Sequence, residues 1–110
     1  MNYLTNIRIE DIKSVFCGLC YDELWNPRND IEIRLNGNVH ARIDAGGDSL
    51  HISYTGNKDN WLYFSEMSSV KISDNDINVV MKNGEQYCFN IISRKPVSPL
   101  KYISKKQENE

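Results

Sequence analysis

At 110 residues, with 40% hydrophobic and 25% charged side chains, the chain has the make-up of one globular domain, which excludes a wholly disordered segment. A formal net charge of -2 favours neither nucleic acid nor membrane as a partner. No apolar run approaches the roughly 18 residues that span a bilayer, and no secretory leader pattern follows Met1, so a cytoplasmic location is the expectation.

The first element expected is a helix. Ile12, Val15, Phe16, Leu19, Cys20 and Leu24 recur at steps of three and four, which places them on one stripe. Thr5 or Asn6 is a candidate cap, and Glu10 and Asp11 suit the positive end of the helix dipole. Gly18 costs such a helix about 1 kcal/mol relative to alanine. Asn26-Pro27 is the expected stop, since the residue before proline is pushed out of the helical region.

From Asp30 the apolar period becomes two, as a half-buried antiparallel strand requires. Ile31, Ile33 and Leu35 form one row; Val39, Ala41, Ile43 and Ala45 form the next. A three-residue turn Leu35-Asn36-Gly37, pairing Ile33 with Val39, keeps both rows on one face; a two-residue turn separates them. A tight Gly46-Gly47 hairpin pairs Ile43 with Leu50 and leads to Leu50, Ile52 and Tyr54. After a polar loop at 56–60, Trp61–Phe64 shows no polar alternation and reads as a strand covered on both faces, running on through Ser65 into Ser69–Ile72. Ile77–Met81 and Gln86–Ile92 follow, joined by the bulged turn Lys82-Asn83-Gly84 that pairs Val79 with Tyr87 and Ile77 with Phe89. Pro96 and Pro99 are expected to interrupt the sheet, with a short helix from Ser98-Pro99 that docks through Leu100 and Ile103. The expected domain covers residues 1–104, with 105–110 as a disordered tail.

The fold expected is therefore α+β: an N-terminal amphipathic helix on a meandering, strongly curled antiparallel sheet of six or seven strands, either a partial barrel or a sandwich.

Cys17-Gly18-Leu19-Cys20 resembles the Cys-Gly-x-Cys of thioredoxin-type oxidoreductases, which implies redox chemistry. The resemblance covers four residues, and the pair lies mid-helix rather than at a helix N-terminus after a strand. The same pair with Cys88 and either His40 or His51 is a candidate zinc set, although the paired spacing of zinc motifs is missing. An odd cysteine count in a domain able to build a core reads as packing instead of a disulfide framework. His40, His51, Arg42 and Tyr54 offer general acid–base groups for RNA cleavage, but nothing in the spacing gathers them. Trp61, Tyr63 and Phe64 suit a base-stacking platform, yet such platforms sit in basic grooves. Gly46-Gly47-Asp48 lacks the helix that a phosphate cradle needs, and Asp74-Asn75-Asp76 lacks the glycine and glutamate of a calcium loop. No cofactor is expected, and no enzyme.

Residues 1–93 carry 13 acidic and 8 basic side chains, while residues 94–110 carry 2 and 5. An acidic body without catalytic motifs fits a protein that works by occupying another protein. The profile is similar to that of toxin-neutralising immunity proteins, which implies a cationic toxin or nuclease as partner, met by electrostatic steering and a few buried anchors. The expected contacts are Asp44, Asp48, Asp59, Glu66, Asp74 and Asp76, with Trp25 or Tyr54 as the aromatic anchor, and Trp61 also carries the amphipathic ring that interfaces favour. Alternatives are a phage-type antagonist of host defence, or a regulatory or scaffold module that binds a peptide or lipid headgroup at an open sheet edge.

Overall fold

The computed structural model describes residues 4–54 and 58–96. A short strand comes first: β1, Thr5–Ile7. A 3₁₀ turn, Ile9–Asp11, leads into the helix α1, Ile12–Cys20. Thr5 and Asn6 are thus strand residues rather than helix caps, and the helix is not the first element. It also ends earlier than its apolar stripe suggests. Tyr21 is already extended, Leu24 lies beyond the helix and is 81% exposed, and Pro27 follows as a bridge partner of Tyr21.

Seven further strands follow: β2 (Asn29–Leu35), β3 (Val39–Ala45), β4 (Ser49–Tyr54), β5 (Asp59–Tyr63), β6 (Met67–Ile72), β7 (Asp76–Met81) and β8 (Gln86–Pro96). Among the described residues all eight belong to one antiparallel sheet in the order β1-β6-β7-β8-β2-β3-β4-β5. Two meanders, β2 to β5 and β6 to β8, meet where β8 pairs with β2. The sheet has eight strands instead of six or seven. Its margins β1 and β5 do not pair, so it is open rather than closed, and it is neither a strongly curled partial barrel nor a two-sheet sandwich.

Trp61–Phe64 does not run on into the next strand. A 3₁₀ turn, Phe64–Glu66, separates β5 at one margin from β6 beside the other. Nor is β5 covered on both faces: Leu62 is buried, while Trp61 and Tyr63 are about half exposed at 52% and 50%. β8 runs past Ile92 to Pro96, because its second half pairs with β2 where β7 has already ended. A bulge there shifts the register between Glu32 and Ile33, and Ile92 stands out in solvent. The expected helix after Ser98 and the tail lie outside the described residues.

The period of two places the core. Ile31, Ile33 and Leu35 on β2, Ala41, Ile43 and Ala45 on β3, Leu50 and Ile52 on β4, and Ile77, Val79 and Met81 on β7 are all buried. From α1 they receive Ile12, Phe16 and Cys20, with the Phe16 ring stacked on Phe64 at 5.8 Å. Pairing of Val79 with Tyr87 and Ile77 with Phe89 matches the sequence expectation, and Gly84 takes the left-handed conformation at φ 92°. The β2–β3 turn begins one residue later than expected, which moves the pairing by two. Leu35 pairs with Val39, and Asn36 joins Gly37 at positive φ. Asn36 tolerates that conformation because its ends are held: its N–H donates to the Cys88 carbonyl, and its Oδ1 accepts the Cys88 N–H. The β3–β4 hairpin is tight, but Ala45 rather than Ile43 faces Leu50. Both shifts are by two residues, so every apolar side chain keeps its face.

Candidate functional site

The segment between α1 and β2 is built on one carboxylate. Asp22 Oδ1 accepts the backbone N–H of Leu24 and of Asn26, both at 2.9 Å, and Oδ2 accepts Asn26 Nδ2 at 3.2 Å. Arg28 and Asn29 clamp the other end by donating to the carbonyls of Gly18 and Leu19. The loop closes so tightly that Trp25 is held at φ 61°, a region bulky residues seldom enter. Its indole, 58% exposed, leans on the Tyr21 ring at 5.7 Å.

Tyr21 continues the contact. Its hydroxyl donates to Asp44 Oδ1 at 2.8 Å. Burial, and then that carboxylate, push the phenol up to about 12, so it stays a donor at any physiological pH. Asp44 stands opposite His51 in the β3–β4 register, and His51 opposite Trp61 in β4–β5. The imidazole and indole stack at 4.0 Å. His51 Nε2 is buried 3.3 Å from Asp59 Oδ1, without the alignment of a hydrogen bond. The result is a continuous strip: Trp25, Tyr21, Asp44, His51, Trp61, Asp59. Two half-exposed indoles stand on it, with two carboxylates between and beside them.

Two depressions flank the strip. One, of about 460 Å³, runs along the outer side of α1 past Lys13, Cys17 and Gly18 to Trp25. The other, of about 330 Å³, lies over β2 to β4, lined by Tyr21, Asp30, Arg42, Asp44, His51 and Ser53. Tyr21 borders both.

The expected contact residues divide. Trp25, Asp44 and Asp59 come together on the strip. Asp48 and Glu66 lie in neighbouring turns, tied by the Phe64 N–H bond to the Asp48 carbonyl. Asp74 sits in the β6–β7 turn and Asp76 opens β7; Asp76 accepts Asn90 Nδ2 at 2.7 Å, and the Asp74 carbonyl accepts Arg94. Tyr54 packs against the core. Tyr21 is a residue that sequence reasoning passed over, and His51 was weighed there only as a zinc ligand or an acid–base group, not as a contact residue. Tyr21 had a signal, since Tyr21 and Trp25 are four apart. The place of His51 between Asp44 and Trp61 had no such signal until the register was known.

The cysteines are not gathered into a ligand set. Cys17 Sγ donates to the Gly46 carbonyl, and Cys20 is buried in the core. Burial pushes the Cys17 thiol up, and the Cys20 thiol up to about 11, which disfavours the thiolate that redox and zinc chemistry need. Among the described residues no three His, Cys, Asp or Glu side chains are placed to hold one metal ion. His40 is spent on Glu32, which also accepts Arg42. No helix of the described residues is long and apolar enough to cross a membrane. Comparison with protein-family models, with curated proteins and with solved structures finds no match to this chain.

Proposed function

We propose that this chain is a non-catalytic protein-binding inhibitor, most like a toxin-neutralising immunity protein, and that the Trp25–Trp61 strip is its contact surface. The observation that carries the reading is the pair of indoles left half exposed yet held in place. Trp25 is fixed by the Asp22 loop and the Tyr21 ring, Trp61 by stacking on His51. A large ring already fixed loses little rotamer freedom on association, so most of its buried area counts toward affinity. Asp44 and Asp59 supply the negative charge that speeds encounter with a cationic toxin or nuclease.

The histidine of the strip supports binding over catalysis. Its Nε2 is enclosed beside Asp59, and the Trp61 ring covers one face, so that nitrogen is withheld from any substrate.

The experiment is affinity capture with the parent chain and a Trp25→Ala/Trp61→Ala double variant, at about 0.1 M and about 1 M salt. The expected result is one basic protein captured at low salt, weakened at high salt, lost with the double variant, and inhibited by the parent chain in its own assay. Recovery of no partner at low salt, or equal recovery by the double variant, overturns the reading.

A further inference from the structure

A third concave feature lies away from the strip's centre, beside the edge of β5 that no described strand pairs. Tyr54 N–H bonds to the Lys58 carbonyl and Phe64 N–H to the Asp48 carbonyl. Hydrogen-bonded pairs alternate along an antiparallel ladder, so Asn60 and Leu62 bond to β4, and the backbone groups of Asp59, Trp61 and Tyr63 point to the open side. In keeping with this, the Trp61 N–H is met by the Asn60 side chain rather than by β4. Between this edge and the β7–β8 hairpin is a cleft of about 220 Å³.

Three aromatic residues line it, Trp61, Tyr63 and Tyr87, together with the carboxylates Glu66 and Glu85. Among its described lining residues there is no lysine, arginine or histidine. Glu85 is oriented in advance: Asn83 Nδ2 donates to one oxygen and the Tyr87 hydroxyl to the other. Small-molecule sites occupy roughly 300–1,000 Å³. This cleft is smaller, and its volume suits one long side chain better than an added strand or a cofactor.

We infer that the cleft receives an arginine side chain of a protein partner, its guanidinium against the aromatic rings and its N–H groups on Glu85 and Glu66. Rings and carboxylates without a competing cation select a cation. Arginine is favoured over lysine because its planar head both stacks on rings and forks onto a carboxylate. The inference deepens the protein-binding reading and rests on it, for it names the partner group that Trp61 and its surroundings would hold.

The test needs no identified partner. A capped Gly-Arg-Gly peptide, its citrulline counterpart and its lysine counterpart are titrated to about 10 mM while the Trp61 indole N–H and the amides of residues 60–63 and 83–87 are followed by NMR. The expected result is saturable shifts with arginine alone, weakened roughly tenfold in Glu85→Gln and again in Glu66→Gln. Both substitutions are isosteric and on the surface, so the parent spectrum elsewhere serves as the folding control. Equal shifts with citrulline or lysine, no saturation, or no loss in Glu85→Gln overturns the inference. The two readings fail separately. Capture that depends on Trp25 and Trp61 without arginine binding removes only the cleft assignment. Arginine binding without any captured partner confines the cleft to a guanidinium site and removes the inhibitor reading.

Discussion

Asp22 is an exposed carboxylate on which a whole loop depends. Its carboxyl is held below the ordinary 3.8, chiefly by the backbone N–H of Asn26, with desolvation opposing, and then by the Leu24 N–H, the Asn26 amide and the charge of Arg28. An acid depressed in the folded state adds stability above its unfolded pKa and loses it as pH falls through the lower folded value. Asp22→Asn removes that dependence. Urea unfolding of parent and variant should therefore differ most near neutral pH, with the parent more stable, and the gap should shrink as pH falls below about 3.8. A constant gap across the acid range would mean that the carboxylate's charge is not what closes the loop. The same variant should leave Trp25 less ordered, seen as weaker near-ultraviolet circular dichroism from its indole.

At the scale of the element, α1 separates stability from surface. Its inner side is filled by Ile12, Phe16 and Cys20, but Gly18 faces outward, and a Cβ built there meets nothing within 4 Å. Gly18→Ala should raise stability by about 1 kcal/mol, the helix-propensity difference, as read from the denaturant midpoint. The new methyl group also intrudes on the depression beside Trp25, so a gain in stability with a loss of partner capture would place the glycine's value in the surface rather than in the fold. The β2–β3 turn shows the opposite balance. Asn36 accepts an unusual backbone conformation because it closes two hydrogen bonds to β8, a strand more than 50 positions away.

For the whole molecule, the seam between the two meanders is decisive. Phe89 is fully buried, opposite Ile77 of β7 on one side and Leu35 of β2 on the other. Phe89→Ala should cost about 3–5 kcal/mol, a large part of the roughly 5–15 kcal/mol that holds a domain of this size. Hydrogen exchange should show protection falling in β2–β5 and β6–β8 together, with one cooperative melt. Loss confined to β6–β8 would mean that the first meander folds on its own.

Local periodicity determined a good deal. Alternation at Ile31–Leu35, Ala41–Ala45 and Ile77–Met81 marked which side chains are buried, because a strand's geometry forces every second residue to one face, whereas Val39, expected in the same row, is 43% exposed at the start of its strand. The Lys82-Asn83-Gly84 turn was legible for the same reason: a slip by one exposes a full row. Periodicity is blind to distance along the chain, however. It did not reveal that β8 joins β2, that β1 precedes the helix and pairs with β6, or that Trp61 and Tyr63 line an open edge. An aromatic run reads alike whether a neighbouring strand covers it or none does. The Trp25–Trp61 strip depends on this long-range pairing, since Tyr21, Asp44, His51 and Asp59 come from four segments. Only the tertiary structure brings them together, because strand register and the docking of α1 minimise exposed apolar area over the entire fold, a sum that no stretch of sequence contains.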